Sequence, residues 1–181
     1  MKRLRVLVCV TALGLVMPGA SAAQDVAITN ARIIVGSGQV IESGAIVVRG
    51  GRIVSVTAGA ASTQGLPTID AKGMSAMPGF IDSHKHVSNG ENAPGQMRSL
   101  LEAGYTTVLA GGGQADVNVA LRDRIDKGEF IGPRIIASGQ IGLRQTPAEA
   151  RAAVQALAAK GLKHTGEIAL TPEPGPTPAE I

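Results

Sequence analysis

Two of the chain's three histidines, His84 and His86, stand two residues apart in the run from Ser75 to Val87. On an extended strand, side chains at i and i+2 leave the same face. The spacing therefore aims both imidazoles at one point, where a single metal ion could take both. Imidazole is a common ligand for zinc, iron, nickel and copper. Two partly exposed histidines at a strand end have the same spacing, so the pair alone does not decide the matter. Phe80 and Ile81 just upstream read as a buried strand that starts after Pro78 and Gly79. Lys85 sits between the histidines with the opposite parity, and reads as a lysine whose stem lies on the strand end while its ammonium reaches water.

The third histidine, His164, opens another apolar run, Gly166 to Leu170, which contains Glu167. A carboxylate inside an apolar strand is costly to bury without a partner. A metal is one such partner; a surface Lys or Arg, with Glu167 turned outward, is another. His164 precedes the strand and reads as a packing or supporting residue. Asp82 shares the parity of the two histidines and reads as a carboxylate that orients an imidazole. Asn89, Glu91 and Gln96 read as solvated loop residues.

Two kinds of segment must position these groups. From Asp25 to about Pro78 the pattern is β: Val26–Ile34, Gly44–Arg49 and Arg52–Val56 are β-branched runs punctuated by glycines, with Gly50-Gly51 as a hairpin turn. Thr68 to Gly73 reads as a short strand and turn. After the histidines, helices and strands alternate. Met97–Gly104 is a helix closed by glycine, Tyr105–Ala110 a strand, and Gly111–Gly113 its exit loop, with no phosphate-loop frame around it. Val117–Lys127 is a helix with Val117, Leu121 and Ile125 on one face. Pro133–Gly139 is a strand. Thr146, Pro147 and Glu149 open a further helix as N-cap, N1 and N3, which Gly161 stops. His164–Leu170 is the fourth strand. Alternating β and α predicts a parallel sheet.

Composition narrows the function classes. Lys2, Arg3 and Arg5 precede an apolar run, Val6 to Met17, broken by Pro18-Gly19 and followed by Ala20-Ser21-Ala22. The run is too short to span a bilayer, and the whole reads as a secretory signal peptide over 1–22. Removing it takes three of the 17 basic residues and none of the 14 acidic ones, which leaves a net charge of zero. Nothing then argues for nucleic acid as a partner. Cys9, the only cysteine, leaves with the signal, so no disulfide or thiolate site is expected in an exported protein. A bacterial periplasm suits these features.

The stretch Pro78 to His86 resembles the PGFIDxHxH signature of the metal-dependent amidohydrolase superfamily. The resemblance implies that His84 and His86 end the first barrel strand and bind the more buried metal. It implies that Glu167 stands where members carry a bridging lysine or glutamate on strand four. His86 to Gln96, Gly104-Tyr105-Thr106-Thr107-Val108 and the Gly166-Glu167-Ile168 strand look like the enamidase-like, imidazolonepropionase-related branch. The implied fold is α/β: the first four βα units of a (β/α)8 TIM barrel over 79–181, preceded by a small β-sandwich-type sheet over 24–78. The implied cofactor is one or two zinc ions, with iron, nickel or manganese as alternatives. The implied reaction is hydrolysis of C–N bonds other than peptide bonds, with cyclic amides foremost. A dipeptidase or lactonase of the same superfamily, or a non-catalytic periplasmic binding module, are the competing readings. A small-molecule substrate, no stable membrane span after signal cleavage, and room for a homo-oligomer follow. The family's later metal-binding histidines and its proton-transferring aspartate would lie beyond Ile181. The chain therefore reads as the N-terminal portion of a larger hydrolase, inactive as it stands.

Overall fold

The computed structural model describes residues 25–142 and 146–169. The signal-like segment, the end of the run at Leu170 and the Pro-rich stretch after it lie outside the described residues. The chain divides into two units: one runs up to Ile33 and includes Ile41–Ser75, the other takes Ile34–Val40 and Ala76 onward.

In the first unit the strands are β1 (Val26–Ile34), β2 (Val40–Arg49), β3 (Arg52–Ala58), β4 (Thr68–Asp70) and β5 (Ser75–Ala76). They form one mixed sheet in the order β3-β2-β1-β4, with β5 also paired to β1. Strand β2 begins four residues before the Gly44 expected from sequence. It meets β3 antiparallel, with Arg49 opposite Arg52. Gly50 and Gly51 between them hold φ of 56° and 70°. Positive φ at both central residues is what a two-residue type I′ turn requires. Strand β4 runs parallel to β1. Ala27, Ala31, Ile33, Ala45 and Val47 are buried, at the alternate positions that a pleated strand buries.

The second unit alternates strand and helix: β6 (Phe80–Lys85), α1 (Ala93–Glu102), β7 (Tyr105–Ala110), α2 (Ala115–Asp126), β8 (Arg134–Ile136), β9 (Gly139–Gly142), α3 (Pro147–Ala159) and β10 (Thr165–Ala169). Parallel ladders join β6 to β7 and β7 to β8. A separate parallel ladder joins β10 to β9. A core of Ala93, Met97, Val108, Ala110, Leu121 and Ile135 packs helices α1 and α2 against β7 and β8. Ala115, Ala137 and Leu162 form a smaller cluster, with Val119 and Leu157 against it. No helix of the described residues is long and apolar enough to cross a membrane.

Local signals read from sequence hold here. Thr146 and Glu149 form a reciprocal capping box: the Glu149 amide donates to Thr146 Oγ1 at 3.3 Å, and the Thr146 amide to Glu149 Oε2 at 3.1 Å. Gly104, Gly128 and Gly161 follow the three helices with φ of 91°, 74° and 77°, the left-handed geometry of a helix stop.

Four expectations need correction. Phe80 and Ile81 are 49% and 69% exposed, because β6 is an edge strand of its three-stranded sheet. Helix α1 starts at Ala93, so residues read as loop form its first turn; Pro94 is tolerated where the helix has no hydrogen bond to lose. Val117 is exposed, and the buried residues of α2 are Ala115, Asn118 and Leu121; of the expected face, Leu121 and Ile125 do pack on the core. The third strand is also interrupted. Ser138 Oγ donates to the Ala110 carbonyl, and Asn118 Nδ2 takes the Ser138 carbonyl at 2.9 Å. Side chains thus occupy backbone groups that a ladder would use, and β9 resumes beyond the break as the partner of β10.

Candidate metal centre

His84 is on the last turn of the β6 pleat, and His86 follows the strand by one residue. Their rings lie 5.4 Å apart, centre to centre, tilted by 47°. Glu167 arrives from β10, and its Oε2 stands 3.7 Å from His86 Nε2. One donor atom from each of His84, His86 and Glu167 lies within 4.8 Å of the other two. Ligands about 2.0–2.1 Å from a tetrahedral zinc ion stand about 3.3 Å apart. The triad is thus open by at most about 1.5 Å, within what side-chain rotation covers. Two neutral imidazoles and a carboxylate suit zinc and its first-row neighbours. The residues present fit a divalent metal.

The floor of the site is glycine. A Cβ on Gly111 would lie 2.7 Å from His84 Cε1 and Nδ1. One on Gly112 would lie 2.7 Å from His86 Cε1 and Nε2, and 3.0 Å from Glu167 Oε2. Real Cβ atoms do not come that close, so the exit loop of β7 is bare where both imidazoles rest on it. Sequence reading treated these glycines only as a turn. Nothing local marks them as a floor, since their neighbours come from other strands.

The remaining residues singled out from sequence have distinct positions. Asp82 Oδ1 accepts from the backbone amide of His84 at 3.0 Å. It therefore shapes the backbone that carries the imidazole, not the ring itself. The Lys85 carbonyl accepts from the Gly111 amide at 2.9 Å, which ties the end of β6 to the glycine floor. His164 stands apart, before β10, beside a cavity of about 380 Å³ lined also by Arg122, Asp126 and Arg134. The loop after His86 is held by structure: Arg124 donates to Asn89 Oδ1 at 2.7 Å, and the Ser88 amide to Gln96 Oε1 at 3.2 Å. Two residues that sequence reading passed over, Asn118 and Ser138, are buried beside the floor. A polar residue at the i+3 step between Ala115 and Leu121 was the available signal.

No family model matches the chain. It is 41% identical over 92 residues to the N-acyl-D-aspartate deacylase of Alcaligenes xylosoxydans xylosoxydans, a match over 51% of this chain and 18% of that protein. It is 38% identical over 91 residues to the adenine deaminase of Shigella flexneri serotype 5b (strain 8401), over 49% of this chain and 15% of that protein. Among solved structures, a Bifidobacterium longum protein assigned as a prolidase superposes with a TM-score of 0.72 at 30% identity, over 83% of this chain and 42% of that one. These relatives and neighbours are hydrolytic enzymes of the amidohydrolase superfamily. The chain spans less than a fifth of the length of these curated relatives and less than half of that solved structure. Its α/β fold with mixed sheets matches the N-terminal part of such structures.

Proposed function

We propose that this chain carries the first metal ligands of an amidohydrolase that cleaves a C–N bond in a small molecule. The observation that carries the proposal is the meeting of His84, His86 and Glu167, from β6 and β10, over the Gly111-Gly112 floor. In this reading β6, β7, the β8–β9 pair and β10 are the first four strands of a (β/α)8 barrel, and the N-terminal sheet is one layer of a sandwich. His84 and His86 hold a divalent metal, zinc foremost, and Glu167 supplies the anionic ligand. A metal so held would polarise a carbonyl and make hydroxide available near neutral pH. Asp82 holds the His84 backbone, and the bare glycine floor leaves both rings free to face the ion. In this reading the proton-transferring carboxylate is not one of the described residues. The N-terminal segment directs export to a periplasm.

Two substrate classes compete. The enamidase-like resemblance of 86–96 and 104–108 supports a cyclic amide. The likeness to a deacylase of N-acyl-D-aspartate and to an assigned prolidase supports an acyclic C–N bond next to a carboxylate. A zinc titration of the chain, with His84→Ala/His86→Ala as comparison, tests the metal site. One zinc taken up by the parent and none by the double variant is the expected result; equal uptake by both would remove the site. Hydrolysis assays of the gene product on cyclic amides, N-acyl amino acids and Xaa-Pro dipeptides separate the substrate classes. Turnover of none of these would overturn the assignment to C–N bonds.

A further inference from the structure

The proposed ligands belong to two sheets with no ladder between them among the described residues: His84 is in the β6-β7-β8 sheet and Glu167 in the β9-β10 sheet. Something other than strand pairing must set the gap between them. The glycine floor reaches both sides, since a Cβ on Gly112 would meet His86 and Glu167 together. On the far side, Ser138 Oγ and the Gly111 carbonyl occupy the space where Gly166, the residue before Glu167, would carry a Cβ.

Asn118 joins these two supports. It is 1% exposed, on α2. Its Nδ2 donates to the Gly112 carbonyl at 3.0 Å and to the Ser138 carbonyl at 2.9 Å. Both amide protons are thereby used, one on each support. Its Oδ1 is buried and finds no donor among the described residues. A buried acceptor without a partner is a cost, and asparagine is a weaker helix former than leucine. Packing and helix formation would therefore favour a leucine at this position. The paired donors are what asparagine adds.

We infer that Asn118 is a positioning residue for the metal centre, clamping the Gly112 and Ser138 carbonyls so that His86 and Glu167 stand at ligand spacing. The inference rests on the reading of His84, His86 and Glu167 as ligands. Residues that orient metal ligands without touching the ion typically contribute about 10–100-fold in affinity.

The test is zinc titration calorimetry on the full chain, with the visible absorption of the cobalt(II)-loaded chain as a readout of coordination geometry. Asn118→Leu keeps the bulk and removes both donors. Leu121→Val, on the same helix, loosens the core without touching the clamp. The expected result is zinc binding weakened about tenfold or more in Asn118→Leu, with an altered cobalt spectrum, while Leu121→Val lowers the melting temperature and leaves both readouts unchanged. Parent-like zinc affinity and cobalt spectrum in Asn118→Leu would overturn the inference. So would an equal loss in Leu121→Val, which would make the effect one of general stability. If Asn118→Leu does not fold, Asn118→Ser, which keeps one donor, is read in its place: weaker zinc binding supports the clamp, and parent-like binding overturns it. A parent chain that takes up no zinc, or a His84→Ala/His86→Ala variant that binds as the parent does, would instead defeat the metal reading on which the inference stands.

Discussion

His86 Nε2 and Glu167 Oε2 face each other across 3.7 Å, although one residue follows the edge strand of a three-stranded sheet and the other sits in a separate two-stranded one. Among the described residues no strand ladder connects those sheets. Their approach is a product of packing, and His84 completes a triad around it.

Glu167 is the group whose removal tests that triad most directly. Glu167→Gln keeps the shape and loses the charge. Four-ligand zinc sites deliver about 10–16 kcal/mol in all, so one ligand is worth roughly 3 kcal/mol, or roughly 100-fold in affinity. Zinc binding should weaken by that order in a competition titration against a chelator. Unchanged affinity would turn Glu167 into an ordinary surface carboxylate.

The glycine floor offers a contrast within three consecutive residues. Gly112→Ala places a methyl 2.7 Å from the His86 ring, so the ring must move and zinc affinity should fall. Gly113 has open space around its Cβ position but a φ of 85°. Gly113→Ala should therefore lose about 1–2 kcal/mol of stability through backbone strain while zinc affinity stays near that of the parent. Urea unfolding and zinc titration of both variants would show the crossed pattern. Equal effects on affinity would mean that the floor does not act sterically.

Helix α3 leads into the strand that carries Glu167, and its capping box is a local source of stability. Thr146→Ala removes the acceptor for the Glu149 amide and should lower stability by about 1 kcal/mol. Thermal unfolding measures it. A change within about 0.2 kcal/mol would show that the box is replaced at no cost by water.

Stability should also carry an acid limb from the first unit. Asn30 Nδ2 donates to Asp70 Oδ1 at 3.0 Å, and the Lys72 amide to the same oxygen at 2.9 Å. These two bonds, Asn30's the larger effect, hold the Asp70 carboxyl below its ordinary value of 3.8. A folded-state value below the unfolded one means that folding favours the ionised form. The contribution is complete above the ordinary value and fades as the pH falls through it towards the lowered folded value. Asn30→Ala should therefore be less stable than the parent at neutral pH, and the gap should narrow under acid. A gap independent of pH between neutrality and pH 3 would assign the loss to the left-handed backbone at position 30, where φ is 52°, a conformation asparagine tolerates better than alanine.

What the chain's own order of residues determined was short in range. The shared direction of His84 and His86 follows from a two-residue step on a strand. The Gly50-Gly51 turn follows from two residues free to take positive φ, and the Thr146–Glu149 box from donors and acceptors three residues apart. Each involves neighbours along the backbone, so the pattern is complete in the sequence. Burial and convergence are different. Phe80 and Ile81 are apolar but lie on an edge strand, and only the sheet order says so. Val117 was expected on the buried face of α2 but is exposed, while Asn118, one residue on, is buried, because the way α2 packs on its sheet selects the buried row. The glycine floor, the Asn118 bridge and the arrival of Glu167 beside His86 all join segments far apart in sequence. Their closeness is set by how strands and helices pack, and that is where the tertiary structure alone decided the candidate site.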